Sequence, residues 1–322
     1  MLDRYNRQID YLRISLTDKC NMRCIYCMPE SGIECFTHEE ILTFEEIKRI
    51  VGLFCDCGIR KIRLTGGECF VRKGFLKFLS MLSSIDDVED IGITTNGLML
   101  AEHAAELMKN KVNHVNISLD SLDPVMYHRL TRTDALDKVL AGMDICYDMG
   151  FDVKINSLIL KGYNEGDIIP LALIAKDRKI NVRFIELMPI GCGKDYEGMK
   201  GAEILETLKE LGEYHDKLSY HGSGPARYIH IDGFAGDIGF IDPLTCKFCS
   251  TCNRMRLTSD GKIKPCLYSN DRYDLRSLLR SGASDEDIKE FIRNSIYNKP
   301  LSHRFEDAGT DIEKSKMSSI GG

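Results

Sequence analysis

The feature that most constrains this chain is its rhythm. From residue 11 to residue 187, short runs of strand character alternate with longer stretches of helical period. "YLRISLT" (11–17) reads as a strand. "LTFEEIKRIVGLFCDCG" (42–58) reads as a helix, with Thr43 as N-cap, a Glu three residues later and a closing glycine. "KIRLTGGE" (61–68) is a strand running into a glycine turn, and "KGFLKFLSMLSSI" (73–85) is a helix. "DIGITTNG" (90–97) repeats the strand and turn, and a helix over 98–110 follows. The series continues with strands over 114–120, 151–160 and 181–189 and helices over 134–149 and 165–178. Six such units in succession predict parallel strands in one sheet, closed or partly closed into a barrel.

The expected fold class is therefore α/β, a partial (β/α)6 TIM-like barrel. In such folds the chemistry sits in loops after the C-terminal strand ends. The unusual residues fall there: a cysteine loop after the first strand, then "TGGE", "TTNG", "SLD" and "ELMP". Past Pro189 the rhythm breaks. A glycine-rich passage (191–201) leads to a helix around 202–211, and "ARYIHIDGFAGDIGFID" (226–242) alternates like a hairpin. A second cysteine segment follows, then a helix within 284–300. A boundary is expected near 188–201. It would divide a barrel unit (1–195) from a smaller C-terminal α+β domain (196–322) that carries the second cysteines and need not fold alone.

With 322 residues, 43% of them hydrophobic, the chain can bury a large core. Its net charge of −6 argues against a surface built to coat nucleic acid. The longest apolar stretches, such as "IIPLALIA" (168–175), are too short to cross a bilayer, and no apolar leader is visible. A soluble cytoplasmic protein with neither nucleic-acid nor membrane partner is the expectation. Thirteen cysteines, an odd number in a long chain, then point to metal binding in a reducing compartment.

The first cysteine group is "CNMRCIYC", with Cys20, Cys24 and Cys27 spaced C-x3-C-x2-C. Structural zinc wants four ligands, and Cys35 or His38 could complete a set. An iron–sulfur cluster is the other reading, because a four-iron cube held by three thiolates keeps one iron open for a chelating ligand. With Tyr26 just before the third cysteine, the segment resembles the signature of radical S-adenosylmethionine (SAM) enzymes. The resemblance implies that the open iron takes the methionine end of SAM and that one electron releases a 5′-deoxyadenosyl radical. "TGGE" (65–68) matches the family's glycine loop, whose two glycines expose backbone and let a ligand amino group come close. The family usually has proline next, where this chain has Cys69. Proline mainly stiffens, so a retained site with a looser wall is expected, with Cys69 as an extra ligand the lesser alternative.

The second group is "FCSTCNRMRLTSDGKIKPC", with Cys249, Cys252 and Cys266 spaced C-x2-C-x13-C. A zinc ribbon completed by Cys246 or a histidine is one reading. The pattern, with "NRMRLTSDGK" inside it, closely resembles the GTP 3′,8-cyclase family of molybdenum cofactor biosynthesis, and the resemblance runs along essentially the whole chain. It implies two [4Fe-4S] clusters, one for SAM and one for the guanine of GTP. It further implies SAM contacts from Tyr26, Gly67, Ser118 and Met188. GTP contacts are implied from Arg13, Arg63, Thr94, Lys154 and the stretch Asn253, Arg254, Met255 and Arg256. The residues agree with this. Arg13 and Lys154 each interrupt an otherwise apolar strand, where a charge facing a core would be costly. Two arginines two residues apart suit phosphate recognition.

By resemblance, the radical removes the C3′ hydrogen of GTP, C3′ joins C8 of the guanine, and one electron and one proton complete the product. Arg13 is the residue expected near the base to assist that last reduction. The implied partners are a reductant protein of flavodoxin or ferredoxin type and a downstream enzyme that forms the cyclic pyranopterin. A homodimer is compatible with these. The closing Gly321–Gly322 is expected to enter the active-site cavity. Two other classes stay open: a radical SAM enzyme that modifies a peptide, and a non-catalytic module with two structural zinc sites. Cys35, Cys55, Cys57, Cys146, Cys192 and Cys246 are expected to be small buried side chains.

Overall fold

The computed structural model describes residues 1–217, 224–269, 272–303 and 317–320. Six parallel strands follow one another in sheet order: β1 (Tyr11–Ser15), β2 (Lys61–Thr65), β3 (Asp90–Thr95), β4 (Val112–Ser118), β5 (Asp152–Ser157) and β6 (Asn181–Ile185). The helices between them are α1 (Phe44–Asp56), α2 (Phe75–Ser83), α3 (Leu100–Lys109), α4 (Pro124–Thr131), α5 (Leu136–Asp148) and α6 (Ile168–Leu173). The expected partial barrel is thus observed. Helix α1 starts at a capping box, with the Glu46 amide donating to Thr43 Oγ1 (3.1 Å) and the Thr43 amide to Glu46 Oε2 (2.7 Å). Helix α4 has no counterpart in the periodicity; it is short, and its start is set by the Asp123 cap and Pro124. Helix α6 is shorter than the expected 165–178, being preceded by a single tight turn over Glu165–Asp167.

Beyond β6 the chain adds strands to both edges of the same sheet. After α7 (Gly201–Leu208), β7 (Tyr214–Lys217), β8 (Arg227–Ile231) and β9 (Ile238–Ile241) extend one edge, with β9 parallel to β6. The expected hairpin is β8–β9. On the other edge β10 (Arg254–Leu257) lies parallel to β1, followed by β11 (Lys262–Lys264) and β12 (Tyr273–Asp274). Helices α8 (Leu275–Arg280) and α9 (Asp285–Tyr297) follow, with α9 packed against α1, and the short α10 (Met317–Ile320) is the last described element. Twelve strands therefore form one sheet, and among the described residues the C-terminal part has no separate sheet of its own.

Side chains alternate along each strand. The outer face carries Leu12, Ile14, Ile62, Leu64, Ile93, Val115, Ile117, Val153, Ile155, Val182, Phe184, Met255 and Leu257, all in one core beneath the helices. The inner face carries Arg13, Arg63, Thr94, His114, Asn116, Lys154, Asn156, Arg183, Arg254 and Arg256. Filling the outer layer with hydrocarbon and the lumen with polar groups makes a chamber rather than a packed barrel centre. No helix among the described residues is long and apolar enough to cross a membrane.

Candidate active site

The first cysteine trio sits on the loop after β1, at the C-terminal end of the parallel strands, and its neighbours hold that loop from two sides. The amides of Gly67 and Glu68 donate to the carbonyls of Thr17 (2.6 Å) and Lys19 (2.8 Å). A Cβ on Gly67 would overlap the Lys19 carbonyl, so only glycine allows this approach. From the other side, the Arg23 and Ile25 amides donate to Thr131 and Leu130 at the end of α4. The Glu68 carboxylate, 1% exposed, accepts from the Phe70 amide (3.2 Å), Thr95 Oγ1 (2.9 Å) and the Asn96 amide (2.7 Å), tying the loop after β2 to the loop after β3. The amides of "GGE" thus serve the cysteine loop itself.

Tyr26 donates its hydroxyl to Asp120 Oδ2 at 2.5 Å, and Asp120 Oδ1 accepts from the Leu158 amide at 2.8 Å. Burial raises the Asp120 carboxyl to about 6. Ser118 is the last residue of β4, two residues before Asp120. Met188 follows β6, and the Gly193 backbone packs beside the carbonyls of both Met188 and Tyr26. Tyr26, Gly67, Ser118 and Met188 therefore share one end of the chamber. Burial pushes the Cys24 and Cys27 thiols up, Cys27 to about 12, with Cys27 and Asp120 adding to Cys24 and Cys20 and Asp120 adding to Cys27. The Met22 amide lies 3.4 Å from Cys20 Sγ.

The second trio lies at the opposite end. Tyr11 pairs in register with Arg254, so Cys252 and Asn253 sit at the N-terminal end of β1 and β10, with Cys266 just beyond β11. At a rise of about 3.3 Å per residue, the strand length sets the two trios on the order of 20 Å apart. Burial alone would raise the Cys252 thiol, but Arg254, Lys299 and a backbone hydrogen bond outweigh it and hold it at about 6. Arg254 reaches Cys252 Sγ at 3.9 Å and lies over the Phe248 ring. The Asn253 side chain donates to Asp10 Oδ1 at 2.6 Å. Met255 is fully buried in the outer core, on the face opposite Arg254 and Arg256, so its side chain does not reach the lumen.

Between the trios runs a belt of cations. Arg13 is level with Arg256 on one side and Arg63 on the other. Burial, with Arg256, Arg63 and Arg254 repelling, lowers Arg13 to about 9, against Tyr11, which pulls it up. Burial and Arg254 lower Arg256 to about 10. Arg63 donates to Tyr11 Oη (3.0 Å) and to the Ile93 and His114 carbonyls. Gly92 makes room for it, since a Cβ there would overlap the guanidinium. Thr94 and Asn116 share a row with Lys154, and Ser118 and Asn156 share the next with Arg183. Thr94 Oγ1, Asn116 Oδ1, Asn156 Oδ1 and Arg183 Nε and Nη2 are buried and meet no hydrogen-bond partner among the described residues. Orphaned donors and acceptors aimed into a cationic lumen are what a polyanionic, hydroxyl-bearing ligand would satisfy.

The Lys154 ammonium pairs with Asp152, which accepts from His114 Nδ1 at 2.7 Å, while His114 Nε2 lies 3.2 Å from Asp90. The bonds to Asp152 and Asp90 raise His114 to about 9. Arg183, Asn116, Asn156, His114, Glu68 and Asp120 are not among the site residues singled out from the sequence. Arg183 was visible there by the same sign as Arg13, a charge inside an apolar strand, whereas the roles of the others depend on register and loop contacts. Cys69 is fully buried, with its sulfur 3.4 Å from Glu68 Oε1, so it forms part of the loop wall. Cys55, Cys57 and Cys146 are buried as expected, Cys35 and Cys192 are half-buried, and Cys246 is exposed, contrary to expectation. None of the thirteen cysteines is in a disulfide. Gly321–Gly322 lie outside the described residues.

The family model of the Radical SAM superfamily matches residues 14–174, and that of Molybdenum Cofactor Synthesis C matches residues 180–305. The fold is similar to that of Streptococcus suis SuiB bound to its precursor peptide SuiA, with a TM-score of 0.63 and 15% identity over 98% of this chain and 70% of that one. The chain is a radical SAM enzyme. The GTP 3′,8-cyclase of Clostridium perfringens (strain 13 / Type A) is 44% identical over 323 residues, 100% of both chains. That of Thermodesulfovibrio yellowstonii is 44% identical over 93% of this chain and 94% of its own. This chain belongs to the GTP 3′,8-cyclase family.

Radical SAM enzymes use a four-iron cluster and SAM. Among the described residues no three His, Cys, Asp or Glu side chains converge on a single metal ion. The thiols of a cube each take a different iron, so the donor chemistry is the relevant test. It fits: three thiols on one loop, partly accessible, with an N–H directed at sulfur.

Two outcomes are expected. Gly67→Ala should detach the glycine loop from the cysteine loop, lowering both the melting temperature and the iron retained on purification. Gly52→Ala, where a Cβ meets nothing within 4 Å, should do neither. His114 has a folded pKa above its ordinary one. Its charged pairs therefore stabilise fully below about pH 6.5 and fade as pH rises through about 9. Thermal melts should decline over that window in the native chain and stay flatter in His114→Gln.

Proposed function

We propose that this enzyme rearranges GTP into 3′,8-cyclo-7,8-dihydroguanosine 5′-triphosphate, the first step of molybdenum cofactor biosynthesis. The observation that carries the reading is the belt of Arg13, Arg63, Arg183 and Arg256 strung between two three-cysteine groups, in a chain 44% identical over its full length to GTP 3′,8-cyclases. GTP carries about four negative charges, and an acidic protein holds it only by focusing cations locally.

A four-iron cluster on Cys20, Cys24 and Cys27, with SAM, would supply a 5′-deoxyadenosyl radical able to take the C3′ hydrogen of GTP. The chain's own work is placement. Tyr26, fixed by Asp120, frames the SAM site together with Gly67, Ser118 and Met188. Arg63, Lys154, Arg183, Arg254 and Arg256 neutralise the triphosphate, and Thr94 offers an unspent hydroxyl. Cys249, Cys252 and Cys266 would hold a second four-iron cluster, which would supply an open iron for the guanine, with Asn253 and, on the strand that follows, Met255 beside it. Once C3′ has joined C8, one electron and one proton complete the product, and Arg13 stabilises the charge added in that reduction. Orientation matters because a radical held in place attacks one hydrogen rather than many. A low-potential flavodoxin or ferredoxin supplies electrons, a separate enzyme turns the product into the cyclic pyranopterin, and a homodimer acting in the cytoplasm is part of the same reading.

Anaerobic incubation with GTP, SAM and a reductant tests it. The expected result is a compound of the same mass as GTP, because the rearrangement adds no atoms, with one 5′-deoxyadenosine formed per product. Deoxyadenosine formed while GTP stays intact would overturn the reading. Arg256→Ala is expected to weaken GTP binding by about tenfold or more, the loss of a charge-assisted contact.

A further inference from the structure

The second cysteine trio stands on two pieces of chain, the turn that joins Cys249 to Cys252 and the segment that ends in Cys266. Two buried cations fasten them, and both act through one short segment, residues 299–301. Lys299, 2% exposed and just past the end of α9, donates from Nζ to the carbonyl of Arg254 at 2.8 Å and to that of Pro265. Arg254 lies two residues after Cys252, and Pro265 directly precedes Cys266. Arg7, 7% exposed, donates from Nη1 to the carbonyls of Cys249 (2.8 Å) and Leu301 (3.0 Å). Its Nη2 donates to Pro300 (2.7 Å) and Lys299 (3.3 Å). The segment therefore grips all three cysteine positions, two through the lysine and one through the arginine.

The two cations differ in how their charge is answered. Arg7 pairs with Asp3, Nη2 to Oδ2 at 2.6 Å. Lys299 has only the two carbonyls as hydrogen-bond acceptors, and among the described residues no carboxylate pairs with it. A buried ammonium without a counter-charge is costly. The groups that favour its charged form are the sulfurs of Cys252 and Cys266. Arg7 and Arg254 oppose them.

We propose that Lys299 is a positioning residue for the second cysteine group: its ammonium clasps the segments bearing Cys252 and Cys266 and supplies the charge that balances their thiolates on iron. The inference rests on the reading that this trio holds an iron–sulfur cluster. A cation beside such a cluster favours its reduced, more negative form, and removing the cation shifts the potential downward.

The test uses anaerobically reconstituted full-length enzyme, native, Lys299→Met and Lys299→Arg, with iron and sulfide counted and each cluster's midpoint followed by electron paramagnetic resonance during a redox titration. Lys299→Met is expected to disfavour reduction of the second cluster about tenfold, near 59 mV for one electron, and to lose part of its iron. The first cluster's signal should not move, and Lys299→Arg should stay near native. If the Met variant does not fold, Lys299→Gln keeps a donor without the charge and should retain iron with the same downward shift. A native second-cluster potential and iron content in Lys299→Met or Lys299→Gln would overturn the proposal. Native enzyme carrying iron for one cluster alone would instead overturn the parent reading, and the clasp with it.

Discussion

Arg13, Arg63, Arg183, Arg254, Arg256 and Lys154 share the inner face of one sheet, and like charges so placed repel. Burial makes the repulsion stronger, because little water reaches the lumen to screen it. The chain tolerates this because the outer face of the same strands buries a continuous hydrocarbon layer under the helices. Stability and function thus reside on opposite sides of one sheet, one residue apart. The lumen is a polar cavity with its charge already in place, and a triphosphate entering it finds cations whose desolvation was settled on folding.

The two ends of that cavity are built differently. At the C-terminal strand ends, the cysteine loop is held by backbone donors from the glycine loop and by the end of α4, with Glu68 joining the neighbouring loop. Burial there raises the thiols. At the other end, buried cations organise the cysteines, and Cys252 is held low. The two cysteine groups thus sit in different surroundings, one dominated by burial and backbone donors and the other by buried cations.

Much of this was legible in the chain. The strand and helix alternation yields the barrel because period 2 and period 3.6 are local properties. Arg13 and Lys154 stood out because a charge in an apolar strand must face something other than core. Other features left no local mark. Helix α4 has a weak amphipathic pattern and depends on its cap. The parallel pairing of β10 with β1 joins residues more than 240 positions apart, and no short window encodes it. In the sequence Lys299 is a lysine at the end of a helical stretch, and its 2% exposure beside the second trio is what distinguishes it. The spacing of Cys249, Cys252 and Cys266 was plain, but their place opposite the first trio followed from the register of β10.

That register has a consequence for how the molecule comes into being. One edge of β1 meets β2 early, but its other edge waits for residues 254–257, which leave the ribosome only after four-fifths of the chain. Closing so long a loop is slow, and an open strand edge meanwhile invites wrong pairings. The second trio, carried by β10 and β11, therefore takes its place only when these later residues dock on β1, whereas the supports of the first trio, the glycine loop and the end of α4, all lie within residues 65–131.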